Sequence, residues 1–265
     1  MKTLKSLVAA GREREDVALD AADRAAPYSY REFCTNAWKG ANLLGQYGAH
    51  PGSEIAVLVG PKATTAGERT DHEGVVDAAE PLLGILASTL VGATARLGFD
   101  PAANPRALVL PWGWYETVAV DPSCSVLAYG GPPEEPSVAH FEAELWSQNP
   151  MEPPEPVEGE TDAIAVGERT ATHREVLADA ERVVDAYDLS ETSHVGLARP
   201  LDGYWALVAG VLAPLSVGAT IQLARSPEQV LDDVEGLSFV LTSENSANLD
   251  ERCVTPGELD VERSS

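Results

Sequence analysis

Residues 201–224 read LDGYWALVAGVLAPLSVGATIQLA, and this stretch can be divided into two elements. From Tyr204 to Leu215 the apolar residues recur at i, i+3, i+4, i+7 and i+8, which is the period of one helical face. Gly218 then supplies a stop that tolerates positive φ. Residues 219–224 form a short apolar run of the kind found in buried strands. The segment therefore predicts a helix followed by a strand.

The same pattern occurs earlier, in residues 81–99. Pro81 suits the first position of a helix, and the helical stripe that follows consists of Leu82, Ile85, Leu86 and Leu90. Gly92 ends this helix, and residues 93–99 give the strand. Both copies pass through the tetrapeptide Val-Gly-Ala-Thr, at residues 91–94 and 217–220. The chain thus contains a helix–strand unit that is present twice.

The remaining segments alternate between helical and strand patterns. Predicted helices cover residues 2–22 with an interruption at Gly11, residues 31–47 after an N-cap at Ser29, residues 140–146, a segment after Thr172 whose apolar stripe runs from Val176 to Val184, and residues 227–234. Predicted strands cover residues 28–30, 55–59, 107–110, 117–120, 126–129, 163–166, 194–198 and 239–241, and residues 61–77 read as a loop or insertion. This alternation predicts an α/β fold with parallel or mixed sheets covered by helices.

Four prolines and several glutamates fall in residues 149–160, a composition typical of a stiff, solvated linker. We place a boundary there. Residues 1–148 are predicted to form a first α/β lobe and residues 161–243 a second lobe that repeats it. Residues 244–265 are polar and are predicted to form a disordered or loosely docked tail.

The charge is strongly negative, with 42 acidic against 18 basic residues and a net charge of −24. A globule of 28.0 kDa exposes roughly 11,000 Å², so the carboxylates lie roughly 16 Å apart. The screening length is about 10 Å at 0.1 M salt and about 3 Å at 1 M. Because the acidic residues are dispersed along the chain, we favour a haloarchaeal-type adaptation to a high-salt cytoplasm over an acidic interaction patch. The absence of a basic cluster argues against a nucleic-acid interface.

The three cysteines, Cys34, Cys124 and Cys253, have neither metal-ligand nor redox spacing and are expected to be reduced and buried. No stretch approaches the ~20 apolar residues that cross a bilayer, and the first ten residues lack the apolar run of a signal peptide. We expect a soluble cytoplasmic protein without a membrane partner.

The order of several segments resembles the N-terminal domain of the AMP-binding, adenylate-forming acyl-CoA synthetases. Residues 28–33 (YSYREF) are similar to that family's (L/Y)TYREL segment, and residues 172–176 (THREV) to its THRx(V/L) segment. Residues 90–101, 212–220 and 226–231 are similar to its LxAGAxxxPLDP, LxPLxxGAT and DPExVL segments. The resemblance spans residues 18–243 and implies two pseudo-symmetric lobes.

Two features of the family are missing from the sequence. Its members bind ATP through a loop of the type [ST]SG[ST]TGxPKG, whose glycines let backbone N–H groups cradle phosphate. Between Asp162 and Thr172 this chain has one glycine, no lysine and the acidic Glu168. It also stops before the family's YGxTE motif, its ribose-binding aspartate and its catalytic lysine. The resemblance therefore implies a truncated domain, and we assign no catalytic, cofactor-binding or metal-binding residues and no cofactor.

Other candidate residues have weaker support. His173 lies where the phosphate loop would end, although a capping or packing role is favoured. Arg169 and Arg174 could bind an anion or form salt bridges. The aromatic turn of residues 111–115 (PWGWY) is a ligand platform or, more simply, a hydrophobic plug. Cys34 lies on an apolar helix face and is expected to be buried. The five histidines show no zinc-site spacing, and the tetrapeptide GERT at residues 67–70 and 167–170 is taken as coincidence.

Two functions remain open at this point. The first is a non-catalytic relative of AMP-dependent acyl-CoA synthetases that serves a binding or interaction role at high salt, either as a homo-oligomer or with an adenylate-forming partner chain. The second is a partial synthetase subunit that needs a partner chain for adenylation. A third option is a gene fragment that folds but has no selected activity.

Overall fold

Short apolar runs, separated by helices and turns, fold into two β-sheets that helices cover. The computed structural model describes residues 2–21, 24–62, 73–224, 226–234, 236–242, 250 and 252–255. The strands are β1 (Val17–Asp20), β2 (Tyr28–Ser29), β3 (Glu54–Val57), β4 (Thr94–Leu97), β5 (Ala107–Pro111), β6 (Ser125–Tyr129), β7 (Val138–His140), β8 (Asp162–Val166), β9 (Arg169–Thr172), β10 (His194–Leu197), β11 (Thr220–Leu223), β12 (Leu237–Leu241) and β13 (Cys253–Val254). The α-helices are α1 (Leu4–Gly11), α2 (Tyr30–Gln46), α3 (Glu80–Leu90), α4 (Phe141–Ser147), α5 (His173–Ala186), α6 (Tyr204–Leu207), α7 (Ala213–Val217) and α8 (Pro227–Asp233).

The two sheets have corresponding strand orders. The first sheet runs β7-β6-β5-β3-β4-β8-β9 and the second runs β13-β12-β10-β11-β1-β2. In each sheet the last two strands form an antiparallel hairpin, and the other neighbours are parallel. The fold is therefore α/β with two pseudo-symmetric halves, as expected.

Each hairpin belongs to the sheet of the other half of the chain. The strand β8 pairs in parallel with β4, with Ile164 opposite Ala95. In the same way β1 pairs with β11, with Leu19 opposite Ile221. The sheet boundary consequently does not coincide with the predicted linker at residues 149–160, because each sheet takes strands from both sides of it. The division into a lobe at 1–148 and a lobe at 161–243 stays a prediction.

The helix predicted at residues 204–215 is confirmed, with a wide turn in its middle. α6 continues through a π-helical segment, Val208–Leu212, into α7. Pro214 has no N–H to donate to the residue four positions earlier, which accounts for the wider turn before it. Gly218 (φ 87°) ends this helix and Gly92 (φ 74°) ends α3, as the repeated tetrapeptide predicts.

Related caps begin α2 and α5. Ser29 accepts a hydrogen bond from the backbone N–H of Glu32 at 3.2 Å. Thr172 accepts one from Glu175 at 3.3 Å, and the Glu175 carboxylate accepts one from the Thr172 N–H at 2.9 Å. Both caps lie directly after a hairpin, so each helix starts at the corresponding point of its sheet.

The first sheet is buried on both faces. Successive side chains of a strand point to opposite faces, and Ile55 and Val57 accordingly join the large core that also contains the second sheet. Ala56 and Leu58 join a separate cluster with Trp114. The continuous apolar run at residues 55–59 thus reflects helices and loops on both sides of the strand.

Three segments differ from the sequence prediction. The helix predicted at residues 2–22 ends at Gly11, and residues 17–20 are strand β1, because they pair with β11. Residues 117–120 are not a strand, because Thr117 ends the 3-10 helix Trp112–Thr117 and residues 118–120 have no regular structure. The predicted tail includes β13, which pairs with β12, whereas residues 243–249 and 256–265 lie outside the described part. Residues 63–72, which hold the first GERT, also lie outside it.

In the described part of the chain, none of the helices combines the length and apolar character needed to cross a membrane.

Candidate functional site

The turn between β8 and β9 occupies the position where the resemblance places a phosphate-binding loop. Val166 and Arg169 are directly opposite each other in the ladder, so only Gly167 and Glu168 make the turn. Gly167 has φ 56°, which suits a two-residue hairpin turn. Its carbonyl accepts a hydrogen bond from Arg96 Nη1 at 3.0 Å. A turn this short has no run of backbone N–H groups to surround a phosphate.

Arg169 is directed away from this turn, toward a buried carboxylate. Its Nη2 donates to Asp179 Oδ2 at 2.9 Å, and its guanidinium lies 3.5 Å from the ring centroid of Tyr204. The Tyr204 hydroxyl donates to the same carboxylate at 2.7 Å, and Arg182 also pairs with it. Asp179 is 1% exposed. The charge of Arg169 is therefore already balanced within the protein.

His173 is the first residue of α5 and is fully buried. Its Nδ1 accepts a hydrogen bond from the backbone N–H of Leu4 at 3.1 Å, which joins α1 to α5. Burial lowers the pKa of the imidazole to about 4, so the ring is neutral at pH 7. Nε2 then carries the proton, and it has no hydrogen-bond partner among the described residues. These contacts fit the packing role that the sequence favoured.

Arg174 lies apart from Arg169. Its side chain is 69% exposed and pairs with Glu160, while Arg169 is held at Asp179. The structure thus does not bring together the two arginines that the sequence suggested for an anion. In the described part of the chain, no group of three or more His, Cys, Asp or Glu side chains has the geometry of a metal site.

The aromatic turn and the cysteines are parts of the interior. Trp114 is fully buried in the cluster on the outer face of the first sheet, against Gly60, and Trp112 is half-buried beside it. All three cysteines are buried. Burial raises the pKa of Cys34 to about 12 and that of Cys124 to about 11, so both are thiols rather than nucleophilic thiolates at pH 7.

The sequence reasoning missed a polar cluster near the carboxyl ends of the first sheet's strands. Glu80, at the start of α3, is 5% exposed and accepts from Lys62 Nζ at 2.7 Å. Burial raises the pKa of this carboxyl, the lysine opposes that shift, and Glu142 adds to it. Glu142 itself accepts from the Gly130 N–H at 2.8 Å. The only sequence signal was a charged residue directly before the apolar stripe of α3.

A small cavity of about 150 Å³ lies where the ends of β3 and β4 meet the segment before α6. Glu73, Gly74, Leu201 and Asp202 line its other side, and the Leu201 N–H donates to the Gly74 carbonyl at 2.6 Å. Pockets for drug-sized ligands usually hold about 300–1,000 Å³. The cavity is therefore too small for a nucleotide.

The resemblance implies ATP, but the described residues at the β8–β9 turn do not fit this nucleotide. The turn has two residues, its exposed Glu168 carries the same sign of charge as a phosphate, and Arg169 is engaged by Asp179. No step of an adenylation reaction can be derived from these groups.

No protein-family model matches the chain, and neither does the sequence of any curated protein. Solved structures do match. The N-terminal domain of FACL13 from Mycobacterium tuberculosis has a TM-score of 0.72 at 12% identity, with 96% of this chain and 75% of that one covered. The anthranilate CoA ligase AuaEII, solved with anthranoyl-AMP, has a TM-score of 0.71 at 15% identity, with 91% and 55% covered.

Apo MatB from Rhodopseudomonas palustris is also similar, with a TM-score of 0.67 at 14% identity and with 92% of this chain and 50% of MatB covered. The chain thus spans about half the length of AuaEII and of MatB. Its two sheets and their helices have the fold of the N-terminal domains of adenylate-forming acyl-CoA and aryl-CoA ligases, as the sequence resemblance implied.

Proposed function

We propose that this chain is a non-catalytic relative of the AMP-dependent acyl-CoA synthetases, and that it acts by binding a partner in a high-salt cytoplasm. The observation that carries the proposal is the direct pairing of Val166 with Arg169. It leaves two residues at the position where the resembling enzymes cradle phosphates with a glycine-rich loop.

Electrostatics supports the same conclusion. A triphosphate at the turn needs positive charge that is free to face it. The arginine nearest in sequence is bound to Asp179 and stacked on Tyr204, and the exposed Glu168 would repel the ligand. Losing both the loop and its cation removes the interactions that stabilise the developing charge during adenylation.

Pyrophosphate release tests the proposal. The chain would be incubated with Mg²⁺-ATP, coenzyme A and a panel of aliphatic and aromatic carboxylic acids in about 2 M KCl, where its own charges are screened. We expect the same background as with heat-inactivated protein. Sustained release that increases in the Glu168→Gln variant would overturn the proposal, because it would place turnover at this turn.

A partial synthetase subunit is the second candidate. It is favoured by the coverage of the structural matches, which take in 91–96% of this chain but only about half of the AuaEII and MatB chains. On this reading the motifs of the remaining half come from a partner chain. Affinity purification at high salt tests this second candidate: a stable hetero-complex that forms acyl-adenylate supports the subunit, and recovery of this chain alone counts against it.

A further inference from the structure

A groove of about 520 Å³ runs along the outer side of α5, and the β8–β9 turn is not part of its lining. One wall is α5 itself, and the other is formed by the end of α7 and by Lys2. Leu177 and Val184 form part of its apolar surface. Both are half-buried, since their inner sides pack against the large core.

The α5 residues of this wall follow the seven-residue pattern of a helix that pairs with another helix. Leu177 and Val184 are seven residues apart, and so are Arg174 and Glu181. Asp185 follows Glu181 at a spacing of four, which places it on the same face. An apolar pair flanked by charges at this period is the arrangement of a helix–helix seam.

The charges on this seam are separated by sign along the helix. Arg174 and Lys2 lie at the amino end of α5, and Glu181 and Asp185 lie toward its carboxyl end. Arg174 and Asp185 are about 16 Å apart along the axis. This order opposes the dipole of α5, which favours anions at the amino end and cations at the carboxyl end. The stability of α5 itself therefore does not account for it.

The order of charges along α5 is self-complementary when two copies are related by a two-fold axis. When two copies of α5 lie antiparallel, Arg174 of each copy faces Asp185 of the other, and the apolar residues meet between them. In an isologous contact both subunits use the same surface patch, so that patch must be complementary to itself. On a chain of net charge −24, most patches would instead place like charges opposite each other.

We propose that two copies of this chain associate through the α5 groove, with the two α5 helices antiparallel. Each copy contributes Arg174 and Asp185 to two equivalent ion pairs and Leu177 and Val184 to the apolar seam. High salt favours the dimer, because it screens the long-range repulsion between two strongly acidic proteins but screens ion pairs that are in contact and partly buried in the seam much less. The proposal is independent of whether the chain binds a nucleotide.

Sedimentation equilibrium of the full chain in about 2 M KCl tests this proposal through a charge swap. We expect a monomer–dimer equilibrium for the wild type at protein concentrations up to about 100 µM. Arg174→Asp places two carboxylates opposite each other, and Asp185→Arg places two guanidinium groups opposite each other. Each variant alone should weaken the dimer at least about tenfold.

Two combinations should restore the contact. In an equimolar mixture of Arg174→Asp and Asp185→Arg, both ion pairs of the mixed dimer join opposite charges. The double variant carries the swapped pair in one chain and should dimerise with itself. Recovery in both cases is specific to an antiparallel contact between these two positions.

Two variants serve as controls. Arg174 also pairs with Glu160 of its own chain, so Glu160→Gln tests whether loss of that pair matters. Trp146 is 65% exposed and lies outside the groove, so Trp146→Ala tests a competing apolar contact. Both should dimerise like the wild type, and circular dichroism should show an unchanged fold in every variant.

A wild type that stays monomeric would overturn the proposal. So would a dimer that survives both single charge reversals, a dimer that Trp146→Ala abolishes, or a mixture of the single variants that remains monomeric.

Discussion

Asp179 Oδ2 lies 2.9 Å from Nη2 of Arg169, and this ion pair joins α5 to the second strand of the β8–β9 hairpin. Tyr204, at the start of α6, donates its hydroxyl to the same oxygen at 2.7 Å. The pair thus connects a hairpin of the first sheet with a helix that also packs against α7 and the π-helical segment before it. It also holds the arginine away from the turn where a phosphate would need it.

Replacing Asp179 with alanine should destabilise the fold by about 3 kcal/mol, because it leaves a buried hydroxyl and a guanidinium without their shared acceptor. Arg182→Ala should cost less, about 1 kcal/mol, since that side chain is half exposed. Urea unfolding in concentrated KCl measures both free energies. If both variants lost the same free energy of unfolding, the Asp179 carboxylate would not be the centre of this cluster.

His173 should make the stability depend on pH between about 4 and 6.5. Its pKa is lowered to about 4 in the folded state from 6.5. The unfolded chain therefore binds the proton first as the pH falls through this window. Stability should decrease toward acid pH, by about 3 kcal/mol from this group once pH 4 is reached.

The variant His173→Asn isolates this contribution, because its amide keeps an acceptor near the Leu4 N–H but does not titrate. Its unfolding free energy should decrease less than that of the wild type between pH 6.5 and pH 4. NMR titration of the imidazole gives the pKa directly. Parallel pH profiles for the two proteins would show that His173 is not buried as described.

Substitutions of Trp114 and Trp112 test whether the aromatic turn of residues 111–115 is a hydrophobic plug or a ligand platform. Trp114→Ala should destabilise the protein by about 3–5 kcal/mol, because it empties a fully buried site. Trp112→Ala should cost only about 1 kcal/mol, since that ring is half-buried. Thermal unfolding at high salt measures both. A larger loss for Trp112 would argue against the plug.

Salt should stabilise the protein strongly. The surface of 11,496 Å² places its 42 acidic residues roughly 16 Å apart, a distance at which they repel in dilute salt but not at 1 M. We expect unfolding or aggregation below about 0.5–1 M KCl and a melting temperature that rises by about 10 °C or more above it. A melting temperature that is independent of salt would refute the high-salt interpretation.

The local elements of both halves of the chain were predictable from the sequence. The apolar stripes of α3 and of residues 204–217, the positive φ at Gly92 and Gly218, and the helix starts after Ser29 and Thr172 all follow from period, glycine and capping residues. These signals are carried by residues close in sequence.

The exchange of hairpins between the sheets was not predictable, because it depends on pairing across long separations. Leu19 lies opposite Ile221 and Ala95 opposite Ile164, and nothing local distinguishes these partners from alternatives. The same reason explains why residues 17–20 were taken as helix. Asp179 was overlooked in the same way, since its partners come from β9 and α6 rather than from α5 alone.

Isothermal titration calorimetry of the chain with Mg²⁺-ATP in about 2 M KCl tests the central proposal most directly, because it measures the affinity for the nucleotide without requiring turnover. The two-residue turn at Gly167 and the pairing of Arg169 with Asp179 predict no binding up to about 5 mM nucleotide. Saturable binding with a micromolar Kd that Glu168→Lys strengthens would contradict it.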